Sequence, residues 1–133
     1  MFRTEGICGQ LEMSVDDKNR MILPEHTGAE PGEKLVIVRN KESKCYDIYA
    51  EKHYQKKLQL QIDYLENKLK TAIDIKMREK LQLLLNDIYS CILAEVTCDK
   101  QRRIVITSIL EENEKVTKVK TIGAFDHLML RKK

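Results

Sequence analysis

No apolar run in this chain is long enough to cross a bilayer. Runs such as Leu83–Leu85 and Cys91–Ala94 fall far short of the roughly 20 residues a spanning helix needs. The opening stretch, Met1 to Gly9, lacks the apolar segment of a secretory signal, so a cytoplasmic protein is expected. No C-x-x-C pair occurs among Cys8, Cys45, Cys91 and Cys98, which argues against a zinc ribbon or a thioredoxin-type site. Each cysteine lies beside apolar residues and is expected to be a reduced, mostly buried thiol. H-E-x-x-H, a nucleophile elbow and a phosphate loop are all missing. His26, His53 and His127 are scattered, and His26, next to Glu25 in a Gly-rich loop, reads as a surface histidine. Asp16 and Asp17 are adjacent, so on a strand end they point opposite ways. The expectation is a chain that is not an enzyme and takes no metal or other cofactor. A large excess of either charge is missing too: 24 Lys/Arg stand against 21 Asp/Glu, a net charge of +3. Its distribution says more. Residues 1–50 carry seven Lys/Arg against nine Asp/Glu, and residues 96–133 carry nine against five. That C-terminal excess points to an anionic partner.

What is present fits a mixed α+β, mainly β, protein. With 133 residues, 42% of them hydrophobic, the chain has enough material for one compact domain or two small halves sharing a core. "QLEMSVD" puts Leu11, Met13 and Val15 on one face of a strand. "RMIL" predicts a second strand, "KLVIVRN" a third and "CYDIYA" a fourth, with the Gly- and Pro-containing "HTGAEPGE" as a loop. From Glu51 to about Lys70, Tyr54, Leu58, Ile62, Leu65 and Leu69 recur at helical spacing. A second helix is predicted from about Ile75 to Leu93. The joint falls near "TAID", where a single longer helix is the alternative. Strands return with "AEVTCD", "RIVIT", "KVTKVKTIG" and "DHLML".

The two ends repeat each other at an offset of 83 residues. Val15 meets Cys98, Asp16 meets Asp99 and Arg20 meets Arg103. Met21, Ile22 and Leu23 meet Ile104, Val105 and Ile106. Further on, Val36 meets Val119, and with a one-residue gap Tyr46 and Ile48 meet Leu128 and Leu130. A D-x-x-x-R corner flanked by strands therefore occurs twice, which argues for internal duplication. Within each corner the carboxylate can pair with the guanidinium or accept turn N–H groups. Arg20 with Lys18, and Arg103 with Arg102 and Lys100, would form two positive prongs.

The segments "SVDDKNRMILP" and "EVTCDKQRRIVIT" resemble the two signature segments of the MraZ family, bacterial regulators with two D-x-x-x-R motifs. The start "MFR" and the run "DIYAEKHYQKKL" are similar as well, while "GAEPGEKLVIV" looks more like the related AbrB/MazE group. The chain departs from the pattern where Asn19 and Arg102 replace the usual Gly, and where Thr107 replaces Pro. Arg102 is expected to make the second corner the less regular one.

The resemblance implies a swapped-hairpin, or double-split, β-barrel of two pseudo-repeats with an inserted helical pair. Residues 1–50 would be the first β half, 51–93 the helical insert and 94–133 the second β half. It implies a nucleoid-associated transcriptional regulator, expected to be a repressor, that binds promoter repeats in double-stranded DNA. It also implies a homo-oligomer, a dimer or a ring. The residues carried over as DNA contacts are Lys18, Arg20, Lys100 and Arg103, with Asp16 and Asp99 as structural members of the motif. Arg102 joins them for its charge, and Arg3 as a basic residue near the terminus. The competing expectation is an antitoxin-like or sporulation-type AbrB relative whose Leu-rich helices grip a protein partner.

Overall fold

The computed structural model describes all residues, Met1–Lys133. Its elements are β1 (Gln10–Ser14), β2 (Arg20–Ile22), a 3-10 turn (Glu25–Thr27), β3 (Lys34–Asn40), β4 (Cys45–Ala50), α1 (Glu51–Thr71) and α2 (Ile75–Ser90). Then follow β5 (Ile92–Thr97), β6 (Arg103–Val105), a second 3-10 turn (Thr107–Ile109), β7 (Lys118–Gly123) and β8 (Leu128–Lys132). The chain is thus mixed α+β and mainly β. No helix is long and apolar enough to cross a membrane.

Six strands form one antiparallel sheet in the order β1-β7-β8-β4-β3-β5, and β2 pairs with β6 in a separate two-stranded ribbon. That ribbon joins the two edges of the sheet. β1 turns into β2 through Asp16–Asn19, with Asp16 N–H donating to Arg20 O at 3.0 Å. β5 turns into β6 through Asp99–Arg102, with Asp99 N–H donating to Arg103 O at 3.0 Å. The ribbon thus bridges the two edge strands, β1 and β5, and touches the β1 end through the isolated Val15–Met21 bridge.

The halves exchange strands. β1 of the first half pairs with β7 of the second, and β5 of the second pairs with β3 of the first. Met13 faces Val119 in one pair, and Val96 faces Leu35 in the other. Since Met13 and Val96 are 83 apart, the true counterpart of Val119 is Leu35, not Val36. Both Leu35 and Val119 are fully buried, whereas Val36 lies in a separate cluster with Val38 and Tyr49 under the helices. The extra residue sits in the loop before β7. The fourth-strand match, Tyr46 and Ile48 with Leu128 and Leu130, agrees with the registers of the two hairpins.

The main core draws on both halves, with Leu35, Ile37 and Ile48 packing among Ile104, Leu128 and Leu130. The thiols follow expectation only in part: all four are free, Cys45 and Cys98 are buried, Cys91 is half-buried, and Cys8 is exposed.

The helical insert is a pair, broken at Ala72–Asp74. Asp74 caps α2 by accepting from Lys76 N–H at 3.0 Å, which satisfies one of the free donors that start a helix. α2 ends at Ser90, short of the predicted Leu93. Beyond it Ile92 pairs with Val38 in the sheet. The apolar run Cys91–Ala94 suits a helix or a strand, and the β3 edge decides.

One anchor of the insert was invisible in the sequence. Asp126, in the β7–β8 turn, accepts from Lys57 Nζ (2.7 Å) on α1 and from His127 Nδ1 (2.8 Å), and pairs with His53 Nε2 (3.0 Å) on α1. Burial pushes its carboxyl up, but the hydrogen bonds from Lys57, His127 and His53 outweigh that and hold it well below the usual range. Two of the three scattered histidines thus meet at one carboxylate, 73 residues beyond His53.

Candidate nucleic-acid interface

Both D-x-x-x-R corners are built alike, bond for bond. Asp16 Oδ1 accepts from the backbone N–H of Lys18 (3.0 Å) and Arg20 (2.8 Å), and its Oδ2 accepts from Arg20 Nε (2.8 Å). Asp99 Oδ1 accepts from the N–H of Gln101 (2.9 Å) and Arg103 (2.8 Å), and its Oδ2 accepts from Arg103 Nε (2.7 Å). The backbone hydrogen bond from the motif arginine, with the guanidinium beside it, lowers each aspartate's pKa. Both corners therefore stay charged and closed at physiological pH.

Each corner closes on a left-handed residue, Asn19 with φ 59° and Arg102 with φ 60°. The expectation of a less regular second corner is corrected: Arg102 takes the same conformation as Asn19. The reason lies across the ribbon. Arg102 O accepts from Leu23 N–H (2.9 Å), and Asn19 O accepts from Ile106 N–H (2.8 Å). Each left-handed carbonyl thus holds the opposite half in place. The left-handed region costs an L-residue about 1–2 kcal/mol, against glycine's entropic cost of about 0.5–1 kcal/mol. Arg102→Gly is expected to stabilise the fold by about 0.5–1 kcal/mol, read as a higher urea midpoint at unchanged slope. A lowered midpoint would mean that the Arg102 side chain matters more than its backbone.

The positions of the predicted contacts differ. Lys18 and Lys100 stand exposed at the tips of the two corners. Arg20 and Arg103 do not project as free prongs. Each is turned back onto its aspartate and is about three-quarters covered, with side-chain exposures of 26% and 23%. Only Nε is used in that bond, which leaves the two terminal nitrogens of each guanidinium as donors. Arg103 Nη1 also lies 4.0 Å from Asp16 Oδ2, so the two corners touch. Arg102 leans toward Glu25, with Nη2 3.6 Å from Oε1. Arg3 is exposed and lies apart: its backbone N–H bonds Thr27 O at 2.8 Å, and no hydrogen bond or ion pair joins its side chain to either corner. Part of the C-terminal basic excess is neutralised from the other end of the chain, where Lys118 and Lys133 pair with Glu12.

The ribbon between the corners has two distinct faces. Arg20 pairs with Val105, Met21 with Ile104 and Ile22 with Arg103. Met21 and Ile104 point inward, each 1% exposed. Strand alternation puts the other four on the outer face, with the two arginines on one diagonal. Diagonal neighbours of this kind are about 7–8 Å apart, roughly two base-pair rises at about 3.4 Å each.

Comparison with known proteins finds relatives along most of the chain. Over 112 residues, 84% of the chain, it is 30% identical to a transcriptional regulator MraZ of Caldanaerobacter subterraneus subsp. tengcongensis, of which it covers 70%. The chain belongs to the MraZ family. A second MraZ, from Thermoanaerobacter sp., is 29% identical over a stretch of the same length. No family model matches the chain. Within this MraZ-family chain, the motif aspartates and arginines were legible from their repetition. Ile22 and Val105 on the outer face were not singled out, although the alternation within "RMI" and "RIV" carries that signal.

Proposed function

We propose that this chain is a sequence-specific transcriptional regulator, acting as a repressor, that binds promoter repeats in double-stranded DNA through the β2–β6 ribbon and its two corners. One observation carries the reading: two guanidiniums, each held by its Nε and making no hydrogen bond through its terminal nitrogens, share the outer face of a two-stranded ribbon. A two-stranded ribbon fits the major groove, and an arginine fork matches the O6 and N7 acceptors of guanine. Asp16 and Asp99 act as positioning residues that aim the forks. Lys18 and Lys100, at the corner tips, reach the flanking phosphates, while Arg102 and Arg3 add to the positive field. Its place of action is the cytoplasm, on the nucleoid.

Assembly is part of the same proposal. The helical pair exposes Leu60, Tyr64, Ile73, Ile75, Met77 and Leu83, with Ile73 98% exposed. Surface of that kind favours contact with another copy, giving a homo-oligomer, and a set of such units would follow repeated DNA sites. The test is a titration of the wild-type protein into a labelled duplex from immediately upstream of its own reading frame, beside an unrelated duplex of equal length. Tighter binding to the first is expected. Equal weak binding to both would remove sequence specificity, and no binding at low salt would remove the DNA reading.

A further inference from the structure

The outer face of the ribbon carries two residues that charge does not explain. Ile22 is 48% exposed and Val105 is 45% exposed, on the one surface the protein would turn toward bases. Each lies directly opposite a motif arginine, Ile22 opposite Arg103 and Val105 opposite Arg20. The buried positions between them, Met21 and Ile104, already close the core, so burial does not require an aliphatic side chain at the outer positions.

We propose that Ile22 and Val105 are specificity-determining residues that contact the C5-methyl groups of thymines beside the guanines read by Arg103 and Arg20. The assignment rests on the DNA-binding function proposed above and extends it. In the major groove thymine alone among the four bases offers a methyl group, and an aliphatic side chain is its complement. Side chains directly opposite each other in an antiparallel pair are about 4.5–5.5 Å apart at Cβ. Each thymine therefore lies within one base-pair step of its guanine. The two halves are related by a pseudo-twofold axis, so the two thymine–guanine contacts fall on opposite strands. The two aliphatics differ by one methylene, which makes the two half-contacts similar but unequal.

The test uses the full chain and the upstream duplex, synthesised with thymine or with uracil in its place. Uracil keeps every hydrogen-bonding group and removes only the methyl. Wild type is expected to bind the uracil duplex more weakly, by about fourfold for each methyl lost from contact. The Ile22→Ser/Val105→Ser variant, whose substitutions lie on an exposed face, is expected to bind both duplexes equally. A thymine-to-uracil ratio that is the same for wild type and variant, with binding retained, overturns this assignment and leaves the DNA reading standing. The same ratio together with a changed subunit count in the variant overturns it in favour of a contact between copies. Failure of wild type to bind either duplex overturns both.

Discussion

Replacing Arg20 and Arg103 together by alanine is expected to weaken binding of the upstream duplex by about thirtyfold or more, with native circular dichroism retained. Each bidentate contact to guanine is worth about 1–3 kcal/mol, and the pair supplies two. The fold survives because each turn keeps its backbone bonds: Asp16 Oδ1 still accepts from Lys18 and residue 20, and Asp99 Oδ1 from Gln101 and residue 103. The lysine double variant separates shape from charge. Lysine keeps the positive charge but lacks the planar fork, and it cannot reproduce the Nε bond to the aspartate. It is expected to retain salt-sensitive affinity and lose the preference for the upstream duplex. Native-like binding by the folded alanine variant would remove Arg20 and Arg103 from the interface.

The second large effect lies beneath the same ribbon. Met21 and Ile104 face each other at 1% exposure and fasten the strand pair that joins the two sheet edges. Truncating either to alanine is expected to cost about 2–5 kcal/mol. The two touch, so their effects will not simply add. A small domain has only about 5–15 kcal/mol in hand. Urea unfolding should show a lowered midpoint for each single variant, and the double variant should lose cooperative unfolding at 25 °C. A double variant within about 1 kcal/mol of wild type would show that the ribbon is not needed to hold the barrel together.

Much of this was legible in the sequence. β3 and β4 carry β-branched residues and tyrosines between clear turn signals, and their bounds agree with the strands expected from "KLVIVRN" and "CYDIYA". The repeat itself was visible because both corners keep Asp and Arg four apart. The one-residue error at Val36 arose because aliphatic residues fill both faces of β3, Leu35 and Ile37 on one and Val36 and Val38 on the other, so alternation alone does not fix the register. Arg102 was misjudged because side-chain propensity disfavours a left-handed arginine, while the Leu23 hydrogen bond that rewards it comes from residues far off in the chain. The Asp126 anchor was out of reach for a similar reason, since only the folded chain brings His53 and Lys57 to that turn.

In the proposed function the two matched corners form one DNA-reading surface whose lysine tips meet phosphates. The salt dependence of the upstream-duplex titration tests it most directly, in wild type and in Lys18→Ala/Lys100→Ala. Affinity should fall linearly on a log–log scale, by about 0.9 log units per phosphate contact for each tenfold rise in salt. The double variant should therefore have a slope shallower by about 1.8. An identical slope in the two proteins would remove Lys18 and Lys100 from the phosphate contacts, and no measurable wild-type affinity at low salt would remove DNA binding altogether.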